Sequence, residues 1–373
     1  MTHTVYLDHN ATSPLRAQAR DGVIAALDLV GNPSSVHQLG RQALRTVEDA
    51  REQVRAAINA PKTAQVIFTS GGTEANTLAL SGTDAVRILV GATEHASVLA
   101  ARPDLECIPV DAQGRVDLGH LQSMLSEGDG RAVVSVMMAN NETGTLQNIE
   151  DIVHLAHRFG ARVHTDAVQA FGKVEVDFLA LGVDMLSISA HKIGGPLGVG
   201  ALITTQDVQL TAVNRGGGQE GGLRGGTQNV SGIAGFGIAA TLAKSDLADM
   251  IRIKTLRDQL ESGVKEIAID ALVIAETVDR LPNTSFIAMP GVLSETQVMA
   301  FDLAGICVSA GSACGSGKSK SSAVLAAMKV PEDIAKTALR VSLGPNNTTA
   351  DIESFLSVYK DLYVRQIQKR NAA

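Results

Sequence analysis

The chain has 373 residues, more than one small core needs and enough for two domains of ordinary size. Apolar residues make up 45% and charged residues 19%, a globular balance that buries a large core without disulfide staples. The net charge of −7, the lack of Trp and an aromatic share of 3% argue against a nucleic-acid surface, which needs basic patches and stacking rings.

In chain order, Val66-Ile67-Phe68 reads as a strand that feeds a Gly turn and a helix from Thr73. Further strands are predicted at 87–90, 106–110, 132–138, 162–165, 185–189 and 200–204. Ile149, Ile152, Val153, Leu155, Ala156 and Phe159 share one helical face, which predicts a helix over 149–159. Short, continuous apolar strands with helices between them predict a mostly parallel sheet covered on both faces. Ligands of such sheets sit at the carboxyl ends of the strands. A long helical stretch over 230–264 leads out of this region. The remainder mixes strands at 284–288, 307–309 and 340–343 with helices at 295–303, 321–328 and 349–370, a smaller α+β unit.

The three cysteines, Cys107, Cys307 and Cys314, are too few and too scattered for a disulfide framework, and without a Cys-x-x-Cys pair they suggest no metal site. The first residues lack the basic and apolar regions of a signal peptide. No apolar run reaches membrane-spanning length; the longest, 232–243, is short and rich in Gly and Ala. A cytoplasmic protein with reduced thiols is expected.

Four segments carry candidate chemistry. In Ser70-Gly71-Gly72-Thr73-Glu74-Ala75-Asn76 a strand meets a Gly pair and a helix start, where free N–H groups and the helix dipole favour phosphate. The same pattern also fits an ordinary connection with Thr73 as the helix cap. Lys192, in Ser189-Ala190-His191-Lys192-Ile193-Gly194-Gly195-Pro196, follows an apolar strand. A Lys desolvated there loses its proton readily and forms Schiff bases; a solvated loop Lys is the alternative. Asp166 ends another strand and suits either a pyridinium nitrogen or a helix cap. Gln169 and His95 also lie just after strands.

Together these segments, in this order, resemble the fold type I pyridoxal-phosphate enzymes, within them the class V aminotransferase group, and specifically the cysteine desulfurases. The resemblance spans nearly the whole chain. It starts at Tyr6-Leu7-Asp8-His9-Asn10-Ala11-Thr12 and Gly31-Asn32-Pro33-Ser34-Ser35-Val36-His37. It continues through Asn140-Asn141-Glu142-Thr143-Gly144, the Lys192 motif and the Gly-rich run from Gly216 to Asn229. It ends with Ser309-Ala310-Gly311-Ser312-Ala313-Cys314 and Leu339-Arg340-Val341-Ser342-Leu343-Gly344.

The resemblance implies an α/β fold with a mostly parallel seven-stranded sheet covered by helices and a smaller α+β C-terminal domain. It divides the chain into a large cofactor domain, 15–255, and a small domain, 1–14 with 256–373, that carries the Cys314 loop. It implies that Lys192 binds pyridoxal 5'-phosphate covalently and moves the substrate's α-proton. Asp166 then pairs with the pyridine nitrogen, Gln169 bonds the phenolic oxygen, and His95 stacks on the ring and passes a proton. Gly72, Thr73, Ser189 and His191 hold the phosphate. Thr227 reaches the phosphate of a neighbouring subunit, which implies a homodimer. Asn32, Asn141 and Arg340 bind the substrate carboxylate, for which the planar Arg fork is well shaped. No firm role falls to His9 or Asn10. Cys314 is the nucleophile: its thiolate takes sulfur from L-cysteine as a persulfide, releasing L-alanine, and passes it to an acceptor or scaffold protein, with iron–sulfur cluster assembly the implied use. A selenocysteine lyase is the alternative activity. Cys107 and Cys307, in apolar strand contexts, are expected to be packed thiols. The run Lys318-Ser319-Lys320-Ser321-Ser322 departs from relatives that carry an acidic residue and Pro there, which bears on the acceptor and not on the chemistry.

Overall fold

A computed structural model describes residues 4–128, 131–311 and 322–372. In chain order the strands are β1 (Val5–Tyr6), β2 (Gln65–Thr69), β3 (Arg87–Gly91), β4 (Leu105–Ile108), β5 (Ala132–Ser135), β6 (Arg162–Asp166), β7 (Met185–Ser189) and β8 (Gly200–Thr204). They continue with β9 (Leu272–Val273), β10 (Thr284–Ala288), β11 (Ile306–Cys307), β12 (Ser309–Ala310) and β13 (Ala338–Ser342). The first three helices are α1 (Ala17–Leu27), α2 (Gln38–Ala57) and α3 (Gly72–Ser81).

The main sheet has seven strands in the order β2-β8-β7-β6-β5-β3-β4. Only β8 runs against its neighbours, so β2 regains the common direction. The carboxyl ends of β2, β3, β6 and β7 therefore lie along one edge. The inner strands are apolar on both faces because helices cover both: Ile88, Leu89 and Val90 on β3 are at most 1% exposed. The predicted helix over 149–159 forms as Ile149–Arg158 and buries Ile149, Ile152, Val153, Leu155 and Ala156; Asn148 caps it by accepting from the Asp151 N–H.

A second, four-stranded antiparallel sheet, β12-β13-β10-β9, and the parallel pair β1-β11 build the other core. Leu7, Ile253, Leu260, Phe301, Phe355 and Tyr359 are buried there. The N-terminal segment belongs to both regions. Leu7 packs in this second core, while Asn10, three residues on, reaches the edge of the main sheet.

Three expectations are corrected. The helical stretch over 230–264 is two helices, Val230–Ser245 and Met250–Ile267, split by a 3₁₀ turn at Asp246–Asp249. Ser245 Oγ donates to the Leu242 carbonyl and Asp246 pairs with Arg16 at 2.5 Å, so polar side chains compete with the helix backbone at the break. Cys107 is exposed, since β4 is the sheet's edge strand; Cys307 is half-buried. Thr73 does not cap α3, because Gly71 occupies the cap position.

Candidate functional site

A cavity of about 390 Å³ opens at the carboxyl edge of the main sheet, against the Asn10–Ala11 segment and Arg340 of β13. Each strand delivers one piece of it. After β7 a 3₁₀ turn, Ala190–Ile193, ends at Gly194 in the left-handed region (φ +77°) and presents Lys192 to the cavity. Lys192 Nζ donates to the carbonyls of Asn10 at 2.6 Å and Ala11 at 2.8 Å.

Asp166, the last residue of β6, is buried. One carboxylate oxygen accepts from the Val168 N–H at 2.9 Å and the other from Asn76 Nδ2 at 2.7 Å. Burial raises its pKa, and these two donors with His95 and Lys192 oppose the shift. Asn76 comes from α3 and also donates to Ser97 Oγ; its own buried Oδ1 has no partner among the described residues. Gln169 lies between Asp166 and the N-terminal segment: Nε2 donates to the Asn10 carbonyl at 2.9 Å.

His95 follows β3 and caps a short helix, its Nδ1 accepting from the Ser97 N–H at 3.1 Å. Burial and Lys192 lower its pKa against the pull of Asp166. A neutral ring that accepts at Nδ1 carries its proton on Nε2. The preceding residue, Glu94, is buried with one oxygen accepting from the Met137 N–H at 2.7 Å and the other without a partner among the described residues. Burial and nearby Asp166 push its pKa well up.

Gly72 and Thr73 begin α3 and line the same cavity. Close approach fixes two glycines here. A Cβ on Gly72 would meet Val168 Cγ2 at 2.8 Å, and one on Gly200 would meet the Gly71 carbonyl carbon at 2.6 Å. Ser189 is buried beside Gly72. His191 Nδ1 lies 3.2 Å from Thr12 Oγ1, and burial with Lys192 brings its pKa down to about 4.

Arg340 reaches the cavity from β13, only 4% exposed. It donates to Asp8 Oδ1 and to the Asn141 carbonyl, both at 2.9 Å, while its buried Nε has no partner among the described residues. Asp8 also accepts from Ser309 Oγ at 2.7 Å. A guanidinium oriented at two points with donors to spare suits an incoming carboxylate.

The cavity thus gathers Lys192, His95, Asp166, Gln169, Gly72, Thr73, Ser189, His191, Asn141 and Arg340. Asn32 and Thr227 lie elsewhere on the chain's surface, both exposed; the Asn32 side chain accepts from the Ser34 N–H. Cys314 lies outside the described residues. Sequence reasoning missed Asn76, Glu94, Ser97 and the binding part of Asp8 and Asn10. Asp8 and Asn10 lie inside the motif that runs from Tyr6 to Thr12, and Asn76 lies one helical turn after the Gly pair. The donor set fits pyridoxal phosphate: an amine for its aldehyde, a carboxylate held toward a ring nitrogen, a helix start for its phosphate.

The sequence matches the aminotransferase class-V family over residues 5–355. It is 44% identical over 368 residues to a cysteine desulfurase of Cereibacter sphaeroides, covering 95% of this chain and 94% of that one. It is 37% identical to the cysteine desulfurase NifS of Azotobacter vinelandii, covering 94% and 90%. The fold matches the crystal structure of a NifS-like protein from Rickettsia africae with a TM-score of 0.91, at 38% identity and over 97% of this chain and all of that one. This chain belongs to the class-V aminotransferase family, among its cysteine desulfurases.

Proposed function

We propose that this protein converts L-cysteine to L-alanine and hands the sulfur, through a persulfide on Cys314, to an acceptor protein for iron–sulfur cluster assembly. The observation that carries the reading is one cavity in which Lys192 and Asp166 stand with Arg340. Pyridoxal phosphate supplies there a ring that stores the electrons left when the substrate's α-proton departs. Asp166, fixed by Asn76 and Val168, keeps the ring nitrogen protonated. Arg340 grips the α-carboxylate, aided by Asn141, and so turns the α-carbon toward Lys192. Lys192, held by two carbonyls, removes and returns protons at that carbon. His95, neutral with its proton on Nε2, passes a proton as the carbon–sulfur bond breaks. The Cys314 thiolate attacks the substrate sulfur, so that the new sulfur–sulfur bond replaces the carbon–sulfur bond.

We further read the chain as a homodimer divided into a large domain, 15–255, and a small one, 1–14 with 256–373. Leu27, Val30 and Val36, between and beside α1 and α2, are 67%, 75% and 88% exposed, an apolar surface that a second copy would cover. Asn32 lies in this stretch, so we assign it, with Thr227, to the partner's cavity. Among the described residues no helix is long and apolar enough to cross a membrane, and we place the protein in the cytoplasm.

The test is the joint yield of alanine and sulfide from L-cysteine, with pyridoxal phosphate and a thiol reductant, beside Cys314→Ala. Equal yields lost in the variant support the reading. A variant with full sulfide release refutes the persulfide route, and activity confined to selenocysteine identifies a lyase.

A further inference from the structure

Lys173 has no part in the chemistry above, yet it is one of the most unusual residues of the fold. It is 7% exposed and, among the described residues, has no carboxylate partner: Nζ donates to two neutral amides, Gln169 Oε1 at 2.6 Å and Asn10 Oδ1 at 2.8 Å. The charged groups that act on it, Lys192 and Arg340, are cationic, and His9 also lies within its field. Burial and those cations depress its pKa strongly. A buried amine among cations is costly, and an apolar residue would fill the volume without that cost.

Local geometry aims the side chain. Gly172 adopts φ +78°, and a Cβ there would meet Ile193 Cγ2 at 2.8 Å, so the backbone reverses where only glycine fits. Lys173, four residues after Gln169, turns back under it.

The consequence lies in the Gln169 amide, whose two ends differ chemically. Its oxygen accepts from Lys173, and its nitrogen donates to the Asn10 carbonyl. A flipped amide would set its oxygen against that carbonyl, a repulsive contact, and would give up the Lys173 N–H···O bond. The same Asn10 carbonyl accepts from Lys192 Nζ, so Lys173, Gln169, Asn10 and Lys192 form one connected network.

We propose that Lys173 is a positioning residue that locks the Gln169 amide with its NH₂ end toward the cofactor's ring oxygen, and thereby sets the acidity of the bond between Lys192 and the cofactor. The proposal rests on the reading above that Gln169 meets that oxygen. A donor there stabilises the oxygen's negative charge, so the linked nitrogen gives up its proton at lower pH. Without Lys173 the amide is held by the Asn10 carbonyl alone, its oxygen turns inward more readily, and part of that help is lost.

The experiment is a pH titration of the cofactor's visible absorption in the holoenzyme, for wild type, Lys173→Met, Gln169→Leu and the double variant. Lys173→Met should move the midpoint alkaline by about one pH unit, a tenfold change in proton affinity. Gln169→Leu should do at least as much, and the double variant no more than Gln169→Leu alone. Lys173→Gln, which keeps an N–H donor, should fall between wild type and Lys173→Met. If Lys173→Met does not fold, the same cycle built on Lys173→Gln decides. A wild-type midpoint in both Lys173 variants, or shifts that simply add in the double variant, overturns the proposal. So does a wild-type midpoint in Gln169→Leu, which removes the group through which Lys173 acts. Absence of any Lys192-dependent visible band refutes instead the functional reading, which separates the two failures.

Discussion

Glu142, in the Asn-Glu-Thr-Gly turn, is buried beside the two residues that flank the Cys314 segment. Its Oε2 accepts from Ser322 Oγ at 2.5 Å, and a Cβ on Gly311 would lie 3.0 Å from the same oxygen. Burial raises its pKa from 4.5 to about 7, against smaller lowering by Ser322 and Arg340. The folded state therefore prefers the protonated acid. Below pH 4.5 both folded and unfolded chains are protonated and nothing is lost. As pH rises toward 7 the unfolded chain ionises first, and stability falls until the folded pKa is passed. At about 1.4 kcal/mol per pH unit, the full loss is ~3 kcal/mol above pH 8. Glu142→Gln keeps an acceptor for Ser322 and cannot ionise. It should stabilise the cofactor-free protein by ~3 kcal/mol at pH 8.5 and by under about 1 kcal/mol at pH 5. Urea unfolding of both proteins at the two pH values measures this. A Glu142→Gln protein no more stable than wild type at pH 8.5, or equally stabilised at both pH values, would refute the argument, because the effect would then owe nothing to ionisation.

Three further outcomes are expected. Asp8→Ala removes one of the two contacts that aim Arg340 and should raise the KM for L-cysteine at least about tenfold while leaving the cofactor's absorption in place; an unchanged KM would show that Asn141 suffices. Asn76→Ala removes a charge-assisted bond to Asp166, so the equilibrium constant for cofactor release should rise about tenfold, read by dialysis and absorbance. Phe355 is fully buried and stacks on Phe301 with centroids 4.6 Å apart and planes 8° apart; Phe355→Ala should cost ~3–5 kcal/mol in urea unfolding, with the fold intact at low denaturant.

The positions of the functional side chains were legible because they sit at strand ends, and strands with Gly turns leave a plain mark. Lys192, Asp166, His95 and the Gly72–Thr73 start of α3 were all found in this way, and the structure brings them to one cavity. Asn32 and Thr227 were legible as motif members, but the single chain leaves both on its surface. Cys107 was misjudged because composition describes a strand and not its place in the sheet; β4 is the edge. The break at Asp246–Asp249 was hidden because helical spacing continues through it, and the pairing that bends the chain there involves Arg16, 230 residues earlier.

What no motif records is the protonation state, because burial sets it and burial belongs to the fold. His9 and His191 are each brought down to about 4, and His164, between Ser135 and Ser187, to about 3. Burial drives the Glu94 pKa upward, which disfavours a second negative charge beside Asp166. The histidines around Lys192 thus stay neutral near pH 7, and the cation reserved for a carboxylate is Arg340, already fixed by Asp8. Burial raises the Asp166 pKa, donors from Asn76 and Val168 oppose that shift, and a positive ring would favour the anion further once the cofactor is bound. The site needs one anion under the ring and one cation at the substrate, with neutral donors between them. Removing charge by burial from the surrounding groups produces that arrangement, which is why residues as far from the chemistry as Glu94 and Lys173 belong to the same design as Lys192.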